Sequence, residues 1–452
     1  MGEPAQRSRP NASVLAAATG LMAALVALRA LTEHDPYPYW QHDPFVFGPP
    51  VTGLLGGYGA LLNAVLCVLG AVIVWACRGV LRWWQGAALA LGGVFLAAHI
   101  ARDPANLDAG STLAGAMGVL VASIGVVSTE PRARRLILPA ALGLLVVLAL
   151  EGMHQVFVQH PETVAYFETN KEEFLAARGW EPGSFQARSY ERRLRQPEPT
   201  AMFGLANVFG GLMAGATLAT ALLWMMARDR VWRSIGGGLV LVFGSALALS
   251  GAKGAIGALV IGGVVIAAEW IAAARGRRIP SGALALGGGA ALMLGVVLGG
   301  ALGQLSLVFR RQYMHGALRI WGEHPILGVG PGRFQDAYTI HKPRTSPEDV
   351  ASAHNVLFDL VAQLGAGGIA WIVVLITLVA GSVGALAREE GSDPPPRGAG
   401  TLTRAIGLGV LVVMVLAVRI RAPVLDTGHL MLFGVGTLVW ITLAGLGAAR
   451  PL

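Results

Sequence analysis

The chain has 452 residues, of which 54% are hydrophobic and 13% are charged, and its formal net charge is +8. A soluble protein usually carries about 25% charged residues, so this composition excludes a soluble globular protein. The apolar runs approach or exceed the ~20 residues that cross a bilayer. The basic residues are spread over many short loops, which argues against nucleic-acid binding. The sequence therefore predicts an all-α, polytopic integral membrane protein that contacts lipid and binds no nucleic acid.

Taken in chain order, the apolar runs predict about twelve transmembrane helices, which form a single transmembrane domain over residues 1–452. The predicted spans are 14–31, 51–77, 85–101, 111–128, 136–158, 201–226, 235–250, 254–274, 282–303, 355–386, 403–421 and 428–449. Two long polar segments, 159–200 and 304–354, separate some of these spans and are predicted to be loops.

Arginine placement predicts the orientation, because cytoplasmic loops carry an excess of Arg and Lys. Arginine clusters such as Arg132, Arg134 and Arg135 recur in every second loop. This alternation places both termini and the linker loop 387–404 in the cytoplasm. The loops 159–200 and 304–354 then lie on the outer side. Both contain clustered basic residues, such as the run from Arg188 to Arg195 and the pair Arg310 and Arg311, which indicates an anionic ligand there.

His354 and Asn355 stand where the second long loop enters the tenth predicted span. A neutral imidazole at the membrane surface can take a proton from a sugar or another hydroxyl. The alternative is a polar helix start, in which His354 or Asn355 satisfies free backbone donors. Two glycines, Gly365 and Gly368, follow inside the span.

Three arginines precede the histidine: Arg310, Arg311 and Arg319. Guanidinium groups bind phosphate oxygens in a bidentate manner and stay charged, so these residues are candidate pyrophosphate ligands. The alternative is that they reach out to lipid phosphates. Lys253, in the tight junction between the seventh and eighth spans, has the same two interpretations.

The glycines Gly328, Gly330 and Gly332 lie between the arginines and His354. Their backbone amides could form a nest for an anion, or the segment could be a tight re-entrant turn.

The outer loop 33–50 contains His34-Asp35 and His42-Asp43, which could bind a divalent metal. Prolines and aromatic residues in that loop favour an interfacial cap instead, and we predict neither a metal nor a cofactor.

Charged residues are scarce inside the predicted spans. Arg29 and Glu151 lie toward outer ends, and Glu269 lies toward an inner end. Charges in the midplane mark coupling sites in transporters, so this pattern argues against an ion-coupled pump.

Several motifs together resemble the O-antigen ligase and O-antigen polymerase superfamily. The motifs are Arg311-x5-Ala317-Leu-x-Ile-Trp, His324-Pro-Ile-Leu-Gly-Val-Gly-Pro-Gly-Arg-Phe334, His354-Asn-x9-Gly365-x-x-Gly368, Thr200-Ala-Met-Phe-Gly-Leu-Ala-Asn207-Val-Phe-Gly and Ser250-Gly-Ala-Lys253-Gly. The match covers roughly residues 200–375. Two positions depart from the family pattern: Lys253 replaces an arginine, and Gly257 stands where a leucine is expected.

The resemblance implies a GT-C-like fold and an inverting, metal-independent glycosyltransferase in the bacterial inner membrane, with a periplasmic active site. Its donor would be a glycan on undecaprenyl pyrophosphate. His354 would activate the acceptor hydroxyl, and Arg311 and Lys253 would bind the pyrophosphate. We add Arg310 and Arg319 as further candidate ligands, and Asn207, Asn355, Gly328, Gly330, Gly365 and Gly368 as supporting residues.

The acceptor stays open at this point. Lipid A-core would indicate a ligase, and a second lipid-linked repeat would indicate a polymerase; we favour these two. A protein hydroxyl, as in the protein O-oligosaccharyltransferases of the same family, is an alternative. A non-enzymatic flippase or permease for lipid-linked glycans is an alternative from another class. A flippase needs a polar path through the midplane, which the predicted spans lack.

Overall fold

The computed structural model describes residues 12–32, 58–77, 81–129, 131–203, 205–277, 279–280 and 305–386, with short pieces between 283 and 298 and between 434 and 446. The described residues form helices joined by turns, and no strand occurs among them. The first eight helices are α1 (Ala12–Thr32), α2 (Tyr58–Ala76), α3 (Trp83–Arg102), α4 (Leu107–Thr129), α5 (Pro131–His154), α6 (His160–Thr169), α7 (Lys171–Ala177) and α8 (Phe185–Leu194). The others are α9 (Ala206–Met226), α10 (Arg230–Ser250), α11 (Lys253–Ala274), α12 (Leu305–Glu323), α13 (Phe334–His341), α14 (Val356–Leu364) and α15 (Ala366–Leu386).

Seven helical segments of the described chain are long and apolar enough to cross a membrane. They are Gly59–Ala76, Trp83–Arg102, Pro104–Val127, Ala141–Thr169, Ala206–Met226, Arg230–Ser250 and Lys253–Ala272. Each corresponds to one of the predicted spans. The chain is therefore a helical, multi-pass membrane protein.

The remaining predicted spans have other outcomes. The first and tenth coincide with shorter apolar helices, Ala17–Arg29 and Ala366–Leu378. The predicted span 403–421, most of 282–303 and most of 428–449 lie outside the described residues, as does the linker 387–404.

The described helices fall into two compact units. The first contains α2, α3, α4 and α12 to α15. Within it, α2 and α4 approach closely at Gly70 and Gly118, where a Cβ on Gly70 would lie 2.6 Å from the Gly118 carbonyl oxygen. Asn63 donates to the Thr112 hydroxyl at 3.0 Å in the same contact. Small residues and interhelical hydrogen bonds are the usual means of packing helices in lipid.

In the same unit, α3 packs against α15 through an aromatic residue. The indole of Trp371 lies over Gly92 and donates its Nε1–H to the Leu89 carbonyl at 3.1 Å. Gln85 donates to the Thr377 hydroxyl at 3.1 Å further along the same two helices.

One apolar run of the first unit is broken in two. The sequence predicts a single span over 355–386, but the structure divides it into α14 and α15 at Gly365, whose φ is +54°. A Cβ on Gly365 would lie 2.5 Å from the Ile326 carbonyl oxygen, so the break is also a point of contact with the segment after α12. There, Val329 N–H donates to the Ala362 carbonyl at 3.0 Å and Ala366 N–H to the Ile326 carbonyl at 2.9 Å.

The second unit contains α5 to α10 and most of α11. Its core is formed by large buried side chains of α9 and α10, such as Phe209, Met213, Trp232 and Phe243. Gly210 of α9 lies so close to the turn after α10 that a Cβ there would be 2.5 Å from the Ala252 side chain.

A π-helical turn, Gln155–Gln159, joins α5 to α6, so the helix predicted to end at residue 158 continues to Thr169. The buried Gln155 side chain lies in this turn. Its amide oxygen accepts the N–H groups of Thr200 and Ala201 at 2.9 and 2.8 Å, and its amide nitrogen donates to the Ala201 carbonyl at 3.0 Å. The turn therefore anchors the chain that leads into α9.

The segment predicted as the loop 159–200 folds into the helices α6, α7 and α8. Phe167, Phe174 and Leu175 are buried between them, and the guanidinium of Arg178 lies 3.5 Å above the Phe174 ring. We call this part of the second unit the cap.

Candidate active site

The predicted loop 304–354 also contains helices, and the three candidate arginines lie on α12. This helix buries Tyr313, Ala317 and Ile320, which recur every three or four residues and pack against α13. Such spacing places apolar side chains on one face of a helix. Arg310 is half-buried beside this face, whereas Arg311 and Arg319 are exposed.

The arginines differ in their contacts. Arg319 donates to the His341 carbonyl at the long distance of 3.5 Å. Arg311 makes no hydrogen bond or ion pair with any residue in the described part of the chain. An exposed guanidinium without a protein partner keeps all its donors available for an anion.

His354 adopts a left-handed backbone conformation, with φ of +51°. For a residue other than glycine this conformation costs about 1–3 kcal/mol, and such residues cluster at functional sites. The backbone N–H of His354 donates to the Ser352 hydroxyl oxygen at 2.9 Å. Its ring packs on Tyr313 of α12, with the ring centroids 5.4 Å apart.

Asp359, in the first turn of α14, organises the residues before His354. Its carboxylate accepts the Ser352 hydroxyl at 2.7 Å and the Ala353 N–H at 2.8 Å. Both bonds hold the backbone that leads into the left-handed turn. Neither Ser352 nor Asp359 was a candidate from the sequence, although an acidic residue in the first helical turn after His354 was a signal that could have been followed.

Asn355 is the N-cap of α14. Its side-chain oxygen accepts the N–H groups of Leu357 and Phe358 at 3.0 and 3.5 Å. The structure thus gives the capping role to Asn355, and the imidazole of His354 is left for other contacts.

Two causes lower the pKa of His354. The residue as a whole is exposed, but part of the ring loses hydration where it packs on its neighbours, and this is the larger cause. The second is the positive charge of Arg310; the negative charges of Asp359 and Glu348 act in the opposite direction. A lowered pKa leaves the imidazole neutral near pH 7, which is the form that accepts a proton.

Tyr313 of α12 contacts the segment that ends at His354. Its hydroxyl donates to the Glu348 carboxylate, and its pKa is raised by loss of hydration and by this bond. Tyr313 therefore stays protonated and supports one face of the imidazole.

The glycine segment does not form a free amide nest. Gly328 N–H donates to the His324 carbonyl at 3.0 Å, Gly330 N–H to the Gln363 carbonyl at 2.9 Å, and Gly332 N–H to the Gln363 side chain at 3.0 Å. The donors that an anion would need are already used, so the interpretation as a tight turn is correct and the anion nest is wrong. Gly328 has φ of +73°, and a Cβ there would lie 2.4 Å from the Gln363 carbonyl carbon.

Gly330 and Gly368 also lie at close contacts. A Cβ on Gly330 would lie 3.0 Å from the His99 ring, and one on Gly368 would lie 2.1 Å from the Leu360 carbonyl oxygen. His99 Nε2 lies 2.8 Å from the Leu327 carbonyl oxygen, and Arg333 forms an ion pair with Asp103. The supporting role predicted for these glycines is thus a packing role.

Lys253 and Asn207 lie in the second unit. Lys253 is the first residue of α11 and is exposed, and Asn207 is the second residue of α9 and is also exposed. Both therefore stand at helix N-termini, where free backbone donors favour negative charge.

The two His-Asp pairs of the loop 33–50 lie outside the described residues. Within the described ranges, no group of three or more His, Cys, Asp and Glu side chains is placed to hold a metal ion.

No model of a known protein family matches the chain, and neither a curated protein nor a solved structure matches it. The class that the fold defines is a helical, multi-pass membrane protein, and its candidate site is a histidine-centred loop supported by a basic helix.

Proposed function

We propose that the protein is an inverting, metal-independent glycosyltransferase that moves a glycan from undecaprenyl pyrophosphate to an acceptor hydroxyl. The reaction would take place at the periplasmic face of the bacterial inner membrane. The observation that carries the proposal is His354 itself: a histidine in a left-handed turn, with a pKa that is lowered by loss of hydration and by the positive charge of Arg310.

The chemistry follows from these groups. Neutral His354 takes the proton of the acceptor hydroxyl as the oxygen attacks the anomeric carbon of the donor sugar. The bond between that carbon and the pyrophosphate oxygen breaks, and its electron pair leaves with the pyrophosphate. Attack from the side opposite the leaving group inverts the anomeric centre. The proton on His354 then returns to water.

The leaving group gains negative charge as the bond breaks, so cations near it lower the barrier. Arg311 is exposed, has no described protein partner and lies next to Arg310 on α12, which makes it our first choice for this role. Lys253 in the second unit is our second choice, because it is exposed at the start of α11. Arg319 is third, since its guanidinium already contacts the His341 carbonyl.

We also propose the finer features of the fold, which are twelve spans, a GT-C-like arrangement and cytoplasmic termini. The acceptor is proposed to be lipid A-core or a second lipid-linked repeat. The motifs that resemble the O-antigen ligase and polymerase superfamily support these features.

The test uses full-length protein in proteoliposomes with a glycan on undecaprenyl pyrophosphate as donor. We offer lipid A-core, a second lipid-linked repeat and an exported protein in parallel as acceptors. We expect transfer by the wild type to one of the first two and a loss of about 100- to 10,000-fold for His354→Ala, the usual contribution of a general base.

His315→Ala is the matched control, because His315 is an exposed histidine of α12; its activity should stay within a factor of two or so of the wild type. Transfer to the protein acceptor alone would replace our choice of acceptor. Movement of the glycan across the bilayer without any transfer would identify a flippase and overturn the proposal.

A further inference from the structure

A cavity of about 300 Å³ lies in the second unit, away from His354 in the sequence. Polar side chains from three segments line it: Arg193 and Glu198 from the end of the cap, Asn207 from α9, and Ser250 from the end of α10. This volume is at the lower end of the range of small-molecule sites. Of these residues, only Asn207 was predicted from the sequence as a site residue.

Backbone donors also open into the cavity. Ala206 and Asn207, the first two residues of α9, line it, and this helix has no side-chain cap. The first N–H groups of a helix have no partner within the helix. They are therefore available to an acceptor atom of a ligand.

A buried hydroxyl is the second and independent sign of a ligand. Thr200 lines the cavity and is 1% exposed, yet its Oγ1 has no hydrogen-bond partner among the described residues. A buried polar atom without a partner costs about 1–3 kcal/mol. A ligand hydroxyl seated against this wall supplies the missing bond.

The mixture of groups selects the chemistry of the ligand. Glu198 is a half-buried carboxylate that makes no ion pair with a described residue, and it would repel a phosphate dianion. Among the other lining groups, the Asn207 amide and the Thr200 hydroxyl can each donate and accept. Sugar hydroxyls, which donate and accept at once, match such a wall.

We propose that this cavity binds one sugar ring of a glycan. The inference rests on the proposed function, since it places a sugar of the donor or of the acceptor in the second unit. Glu198 and Asn207 hold ring hydroxyls, and Thr200 completes its bonding only when the sugar is present.

The test measures binding without any transfer. Full-length protein in lipid nanodiscs is mixed with the methyl glycosides of glucose, galactose and N-acetylglucosamine, and saturation-transfer NMR reports binding. We expect one of the three to bind the wild type and the His354→Ala variant equally. Glu198→Leu should abolish the signal, and Glu181→Leu, a change of an exposed glutamate in the cap, should keep it.

Thr200→Val separates a ligand contact from a structural role. It removes a hydroxyl that has no partner, so the thermal unfolding temperature should not fall, whereas sugar affinity should fall about three- to tenfold, the value of one hydrogen bond. Thr169→Val, at an exposed position of α6, should change neither quantity.

Three results would overturn the inference: no signal with any glycoside, unchanged affinity in Thr200→Val, or displacement of the glycoside by inorganic pyrophosphate, which would make the cavity an anion site. A failure of transfer with intact glycoside binding would count against the proposed function alone. In the transfer assay, a raised KM of Glu198→Leu for the donor or for the acceptor identifies which of the two supplies the sugar.

Discussion

The hydroxyl of Ser352 donates to the carboxylate of Asp359 at 2.7 Å while it accepts the backbone N–H of His354. One serine thus links a carboxylate on α14 to the histidine that we propose as the base. The left-handed conformation of His354 depends on this link, because a strained backbone persists only where its surroundings hold it.

Removing the link should reduce turnover more than binding. In Ser352→Ala, both bonds disappear and His354 relaxes from its left-handed turn, so we expect kcat to fall about tenfold or more with KM nearly unchanged. Asp359→Leu should have the same effect, whereas Asp359→Asn, which keeps an acceptor for the Ala353 N–H, should lose less. Steady-state kinetics decide this, and equal activity of Asp359→Leu and the wild type would contradict it.

The pH dependence of transfer should shift in opposite directions in two variants. The rate of a base-catalysed step rises with pH through the pKa of the base, because only the neutral imidazole accepts a proton. The charge of Arg310 lowers this pKa and that of Glu348 raises it. The acid limb of the profile should therefore move to higher pH in Arg310→Gln and to lower pH in Glu348→Gln. Arg319 is not among the charges that act on His354, so Arg319→Gln should leave the acid limb in place. A shift of the same sign in all three variants would refute His354 as the base.

Arg311→Ala should weaken transfer more than Arg319→Ala. A lost charge-assisted contact costs about 1.5–3 kcal/mol, which is about 10- to 150-fold in rate if the contact forms in the transition state. Arg311→Lys should recover only part of this loss, because a point charge replaces a fork. Full activity of Arg311→Ala together with an inactive Arg319→Ala would contradict this prediction and would assign pyrophosphate binding to Arg319.

Substitutions at two glycines should lower stability without touching the chemistry. Gly328 and Gly365 both have positive φ, and a Cβ on either would lie within 2.6 Å of backbone atoms of the opposite segment. The conformational cost alone is about 1–3 kcal/mol per alanine. Gly322→Ala, in α12 with open space around it, is the matched control and should be neutral or stabilising. Thermal unfolding monitored by size-exclusion chromatography measures the three variants side by side.

The sequence predicts the membrane helices well, because long apolar runs have few other structures available to them. It does not predict the break at Gly365, since an apolar run on both sides of a glycine is equally consistent with one continuous helix. The break depends on hydrogen bonds from Val329 and to Ile326, which are far away in the sequence.

The candidate site is predictable in part for a similar reason. His354 and the arginines stand out because charged and titratable residues are rare in this composition. Ser352 and Asp359 are ordinary polar residues whose role arises only when α14 folds back on the segment before it. Asn355 as a helix cap was one of two open interpretations, and only the geometry separates it from His354.

The π-helical turn Gln155–Gln159 takes up one residue more than a regular helical turn. Deleting one residue after Gln155 in this turn would restore regular α-helical spacing and would leave the face that α6 presents nearly unchanged. A deletion in the regular helix α6 would instead rotate everything that follows by about 100° relative to α5. Gln155 would then no longer face Thr200 and Ala201, and the chain entering α9 would lose its anchor. A deletion scan of this region would therefore show a narrow interval, 156–159, in which single deletions are far less damaging than in the helices on either side.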